Sequence, residues 1–314
     1  MILLYHNDVT LEFLRPYTVA DSIKTTGSIV SCYLTIQNSL GNSGDVESLT
    51  EGRIRATSVF PLFDSERLFP LTKINIIPKG TGTAARKDII EKRKKIAKMV
   101  PWTVIKQIAA NLVENSYQGV HADTILDLAR YESADYYSDR LSVNLSDPAV
   151  PELYTREYEP FSDLRIASGK ISGVKCWFSY SAFEDVESEA LHASIRLLED
   201  FGLSGRRTTG SGHFKIDSME GIEERSRGFT GEGLYLLMSK YIPASADLDS
   251  LILQKSMYSI STISGNDSMG RHMGTYRCFS EGSLLYLKGE LTGRSYITGE
   301  NRFLPFFPVV RRII

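Results

Sequence analysis

Twelve consecutive residues, Gly202-Leu-Ser-Gly-Arg-Arg-Thr-Thr-Gly-Ser-Gly-His213, bring together the groups that bind phosphate. Gly202, Gly205, Gly210 and Gly212 let the backbone take positive φ and let another chain approach closely. Arg206 and Arg207 supply planar forks that suit phosphate oxygens, and Thr208, Thr209 and Ser211 add hydroxyl donors. No acid intervenes between Asp200 and Asp217. Such a loop can wrap a phosphodiester chain through main-chain N–H groups. It is not a mononucleotide loop, which runs from a strand into a helix and carries Lys-Ser/Thr after its glycines. Here a helix precedes and a strand follows, and the dinucleotide fingerprint fails on the same order.

Other chemistries find less support. His6, His121, His192, His213 and His272 are scattered, so no general acid–base pair is legible. His213, alternating with Lys215 and Asp217 on the polar side of a strand, reads as a solvated or phosphate-contacting histidine rather than a catalytic one. His192 stands beside the apolar stripe of its helix and reads as a packing residue. The acids from Glu184 to Glu189 suit the start of a helix, where they complement its dipole, better than a metal site. There is no Gly-x-Ser-x-Gly elbow. The cysteines, Cys32, Cys176 and Cys278, are far apart and read as small buried side chains, without a zinc ribbon or disulfide framework.

A chain of 314 residues accommodates two domains, and 42% hydrophobic with 24% charged residues is ordinary for a globular protein. The net charge of −2 excludes a wholesale nucleic-acid coat, but its distribution is uneven. Between Lys79 and Lys106 nine cations face only Asp88 and Glu91, either a solvated helix face or a basic contact surface. The N-terminus turns polar too early for a signal peptide, and no apolar run approaches the roughly 20 residues of a membrane span. A cytoplasmic location is expected.

The elements that position the loop follow from periodicity. Val9, Leu11 and Phe13 alternate against polar neighbours, predicting a bent strand or strand pair over 2–14. Helical spacing follows over 21–40, with Thr18 or Asp21 as the cap and Gly41 at the end. Residues 41–84 read as loops with short strands near Val59 and over 73–77. The basic stretch predicts a helix over 86–99, and Pro101-Trp102 starts another running to about 114. Residues 130–165 suit an extended hairpin. A strand over 174–180 leads to a helix over 186–201, with Ala190, Leu191, Ser194, Ile195 and Leu198 on one face. Gly202 is placed for a left-handed cap, and 213–217 alternates as a strand. Strands are expected again over 233–241, 256–263 and 276–288. The pattern is α+β: the split β-α-β of a ferredoxin-like domain with a long insertion, then a β-rich second part.

The helix followed by Gly-x-x-Gly-Arg-Arg-x-x-Gly-x-Gly-His-Phe resembles the signature of the RAMP proteins of CRISPR–Cas systems. Further segments are similar to one branch, the subunit of type III-A (Csm) effector complexes that binds the guide RNA's 5′ handle. These are Ala20-Asp-Ser-Ile23, Ser58-Val-Phe-Pro-Leu-Phe63, Leu68-Phe-Pro-Leu71, the lysine-rich helix running into a tryptophan, Asp139-Arg140, Leu153-Tyr154, Glu281-Gly-Ser283 and Gly289 to Gly293. The chain departs from the pattern at His213, where the family commonly has arginine.

The resemblance implies tandem ferredoxin-like (RRM-like) domains. The first would span 1–220 with an insertion over about 41–165, and the second, degenerate and β-rich, 230–314. It implies a crRNA contact through the loop residues Gly202 to His213, joined by Asp21, Ser22 and Lys24 at the first helix and by Arg140 on a thumb hairpin. It implies the large polymerase-like subunit and an adjacent backbone RAMP subunit as partners, and a scaffold with no cofactor, metal or catalytic residue. Membership of the type III-B counterpart stays open, as do a metal-independent guide-processing ribonuclease and a protein–protein module with a structural loop.

Overall fold

The computed structural model describes residues 3–13, 21–42, 49–63, 66–72, 74–77, 99–121, 174–183, 186–203, 212–222, 230–266, 272–298 and 302–314. The opening strand β1 (Leu3–Phe13) is one element with a register irregularity near its start. It leads to helix α1 (Ser22–Ser39). Of the two capping candidates, Asp21 does the work: its Oδ1 accepts from the Lys24 amide at 3.0 Å. Strand β8 (Val174–Phe183) and helix α3 (Ser188–Phe201) form the second β–α pair, and β9 (Phe214–Ile222) closes the unit.

The insertion is more regular than its turn-rich composition predicted. It folds as β2 (Ile54–Ala56), β3 (Phe60–Phe63), β4 (Glu66–Pro70), β5 (Ile76–Ile77), β6 (Met99–Pro101), helix α2 (Trp102–Glu114) and β7 (Val120–His121). Pro61, Pro70 and Pro101 lie inside or at the ends of these strands, at the irregular margin where a missing N–H is tolerated. Met99, expected at the end of a basic helix, is in a strand; 78–98 lies outside the described residues, as does the hairpin expected over 130–165.

The main sheet runs β6-β4-β3-β8-β1-β9, with β2 also paired to β8. Strands β9, β1, β8 and β2/β3 are each antiparallel to their neighbours. Strand β8 is central, and from Cys176 to Phe183 it is buried on both faces. Its Cys176, Phe178, Tyr180 and Ala182 join Val9, Leu11 and Phe13 of β1 beneath α1 and α3. From α3 the five residues on that face are the five predicted: Ala190, Leu191, Ser194, Ile195 and Leu198. On the opposite face Trp177, fully buried, packs with Phe60 and Phe69. Burying side chains of this size contributes about 2 kcal/mol each or more.

The remaining chain is β-rich, as expected. Strands β10 (Gly233–Leu237), β13 (Leu284–Leu287) and β16 (Val310–Arg312) make a three-stranded sheet ordered β13-β10-β16. Hairpins form from β11 (Ile260–Asn266) with β12 (His272–Phe279), and from β14 (Arg294–Thr298) with β15 (Arg302–Phe306). Among the described residues from 230 to 314 there are two 3-10 turns and no α-helix. Leu234, Leu236 and Leu284 share a core with Phe69, Trp177 and α2, so this part covers one face of the main sheet. Cys32, Cys176 and Cys278 are all buried, and none of them forms a disulfide.

Candidate nucleic-acid interface

One end of the main sheet gathers the chain segments singled out by sequence. Strand β1 ends there at Phe13, β8 starts at Val174 and β9 at Phe214, while α1 begins and α3 ends there. Phe13 and Phe214 pair across the strands with ring centres 6.0 Å apart.

The glycine- and arginine-rich loop leaves from this end through a closed neck. The Gly202 amide donates to the Leu198 carbonyl at 2.7 Å, and the Leu203 amide donates to the Gly212 carbonyl at 3.0 Å. Gly202 has φ 75 and ψ 156, so the predicted positive φ is present, but in the extended mirror region open only to glycine and not as a left-handed cap. Gly212 also has positive φ, and a Cβ built on Gly202 would lie 2.9 Å from the Gly212 carbonyl oxygen. Leu203 is buried beneath the neck. His213 is half-buried beside it, and Lys215 and Asp217 point to solvent. Gly205, Arg206, Arg207, Thr208, Thr209, Gly210 and Ser211 lie outside the described residues, as does Arg140.

The start of α1 is anchored by groups the sequence did not connect. Ser22 is 2% exposed; its amide donates to Ser58 Oγ at 2.8 Å, and its own Oγ accepts from the Lys240 amide at 2.8 Å. Both polar groups are thus taken up within the chain, and Ser22 holds the helix start. Asp21 and Lys24 stay half-exposed. Ser58 Oγ donates to Glu281 Oε1 at 2.5 Å, and Lys240 Nζ lies 3.1 Å from Glu281 Oε2. Burial would lower the Lys240 pKa, but the carboxylates of Glu281 and Asp21 outweigh it and hold it above the ordinary lysine value.

Three of the resembling segments meet here. The Thr72 amide donates to the Gly282 carbonyl at 3.1 Å, and the Ser58 amide donates to Met238 at 3.2 Å. A Cβ on Gly282, whose φ is 84, would come within 2.7 Å of the Thr72 nitrogen and 2.8 Å of the Leu71 carbonyl carbon. The signal for this convergence was present only as three separate motifs.

The face of the main sheet away from α1 and α3 offers no base-stacking platform on β1, β8 or β9 among the described residues. Its exposed part carries Lys175, Lys215, Asp217 and the half-buried Glu12, and Lys175 pairs with Asp217 at 2.7 Å. Its aromatic residues on β8, Trp177 and Phe183, are covered. His192 is exposed, not packed as the sequence suggested; its Nε2 is 3.2 Å from Asn7 Nδ2, which also donates to the Tyr180 hydroxyl at 2.7 Å. No group of three or more His, Cys, Asp or Glu able to hold a metal occurs among the described residues. No described helix is long and apolar enough to cross a membrane.

No protein-family model matches the sequence, and no curated protein matches it. Solved structures do. A chain of the Csm3–Csm4 subcomplex of the type III-A CRISPR–Cas interference complex superposes with a TM-score of 0.57 at 15% identity, covering 96% of this chain and 98% of that one. The chain has the fold of a type III CRISPR effector subunit. A chain of the Csm1–Csm4 cassette in complex with cA4 has the same fold, with a TM-score of 0.52 at 13% identity and 97% of both chains covered. The cassette in complex with cA3 gives 0.51 at 12% identity, again over 97% of each.

Proposed function

We propose that this chain is the non-catalytic subunit that holds the 5′ handle of the crRNA in a type III CRISPR complex. It would dock on the large polymerase-like subunit and on an adjacent backbone RAMP subunit. The observation that carries the reading is the neck at Gly202 and Gly212. Paired positive-φ glycines at the end of the main sheet bracket a loop sequence with two arginines, four hydroxyls and no acid.

The partner reading is supported by the comparisons. The fold recurs in a Csm3-containing and in a Csm1-containing assembly, and Csm4 is the component common to both. On this reading residues 1–220 and 230–314 are two ferredoxin-like units, the second degenerate. Arg206, Arg207 and the loop hydroxyls grip phosphates, with Asp21, Lys24 and Arg140 completing the contact.

The test is binding of 5′-handle RNA to the chain co-expressed with its large subunit, in EDTA, across a salt series. Tight handle-dependent binding without cleavage is expected. Arg206→Ala with Arg207→Ala should weaken it and flatten the salt dependence by roughly 0.7 per lost phosphate contact. Cleavage of the RNA would establish a ribonuclease instead, and absence of binding at every salt concentration would leave the loop as a structural turn.

A further inference from the structure

A second cationic site lies on the opposite face of the sheet from α1 and α3. Arg311 stands on β16 opposite Leu236. Its guanidinium lies 4.6 Å from the centre of the Trp102 ring and 5.3 Å from that of Phe69. Phe69 packs 5.0 Å from Trp102 and 5.0 Å from Trp177, over which Arg67 lies at 5.4 Å. Three packed rings thus form a floor carrying two guanidinium groups.

The two arginines differ in their partners. Arg67 Nη1 is 2.5 Å from Oδ2 of Asp8, a carboxylate only 3% exposed that also accepts from the Ser179 hydroxyl. Arg311 makes no hydrogen bond and no ion pair among the described residues, although its residue is exposed. Burial against the rings lowers its pKa; Asp8 raises it and Arg67 lowers it, so all three charges act on one another.

We propose that Arg311 and Arg67 form a second seat for a phosphodiester of single-stranded RNA, with Trp102 holding the Arg311 fork flat. The inference rests on the RNA-binding reading given above. A guanidinium stacked on an indole has little rotamer freedom left to lose, and its donor edge stays open for bidentate contact with phosphate oxygens. Its outer plane is a surface on which a base can stack. An acidic side chain of a partner protein would use the charge but not that plane, so the nucleotide is the better fit.

The experiment is fluorescence anisotropy of a labelled single-stranded RNA with the full chain across a salt series. It compares Arg311→Gln, Arg311→Lys and Arg206→Ala/Arg207→Ala. Arg311→Gln should weaken binding roughly tenfold, as expected for one charge-assisted contact. It should also reduce the salt slope by about 0.7. Arg311→Lys, which keeps the charge and loses the fork, should fall between and serves as the folded control if the glutamine variant proves unstable. Unchanged affinity and slope in a folded Arg311→Gln chain, while the loop variant loses both, would overturn this site and leave the loop reading intact. So would loss of a protein partner in that variant without any change in RNA slope. If the unaltered chain binds no RNA at all, the site and the loop reading fall together.

Discussion

Ser58 Oγ donates a 2.5 Å hydrogen bond to Glu281 Oε1 across 223 residues of sequence. The same Oγ accepts from the Ser22 amide, and Glu281 also holds Lys240. One hydroxyl therefore joins the start of α1 to the C-terminal β-rich part. Ser58→Ala should cost about 1–3 kcal/mol, because it strands a buried amide and a shielded carboxylate together. Glu281→Ala should cost at least as much, since Lys240 loses its partner at a largely buried position. Urea denaturation of both variants measures this, and a Ser58→Ala midpoint equal to the parent's would show that the link contributes nothing.

At the loop neck, Gly202→Ala tests the backbone directly. Alanine would have to adopt φ 75 with ψ 156 and place its Cβ 2.9 Å from the Gly212 carbonyl oxygen. A cost of roughly 1–3 kcal/mol is expected, with weaker RNA binding as the neck opens. The same thermal scan on Gly41→Ala provides a reference, because a Cβ there meets nothing within 4 Å. Equal destabilisation by the two would mean that φ alone, and not the closed neck, sets the cost.

Arg55 is a case where removing a charge should help. It is 7% exposed, lies 5.3 Å from the Phe183 ring centre and 5.5 Å from that of Phe307, and donates from Nε to the Gly52 carbonyl. Burial pushes its pKa down to about 10 despite the attraction of Glu290 and Asp247. A base with a lowered pKa destabilises the fold at every pH below about 10, and the penalty fades as pH rises from there towards the unfolded value. Arg55→Met keeps the volume without the charge. It should leave stability at pH 7 unchanged or raise it by about 1–3 kcal/mol. A marked drop in melting temperature would show that the cation–ring contacts outweigh the desolvation.

Asp247 behaves in the opposite sense. Fully buried, it accepts from the Tyr241 hydroxyl and from the amides of Ala244, Thr292 and Gly293, at 2.7 to 2.9 Å. Burial alone would raise its pKa, but these donors outweigh it and hold it below the usual carboxylate value. A depressed carboxylate stabilises the fold above the unfolded value of about 3.9, and that contribution is lost as pH falls through the folded value. Asp247→Asn should cost roughly 2–3 kcal/mol at pH 7 and progressively less below pH 4. Urea midpoints at the two pH values check it; a pH-independent difference would place the effect elsewhere.

The sequence by itself determined the elements whose signal is local. Alternation in β1, the buried stripe of α3, the Asp21 cap, the Pro101-Trp102 helix start and the order of strands and helices around the loop were legible because each depends on neighbours within a few residues. So were the glycines that must bend at the neck. Tertiary structure decided what depends on distant partners. It drew the proline-rich insertion into strands at the margin of the main sheet, because a central strand with two apolar faces needs cover on both. It turned Ser22 inward to meet Ser58 and Lys240, and left His192 at the surface beside Asn7. It set Arg311 on Trp102 beside Arg67 and Asp8, a grouping spread over three strands and the start of a helix. Side-chain spacing reports which face of an element is buried; only the packed chain decides what lies against that face.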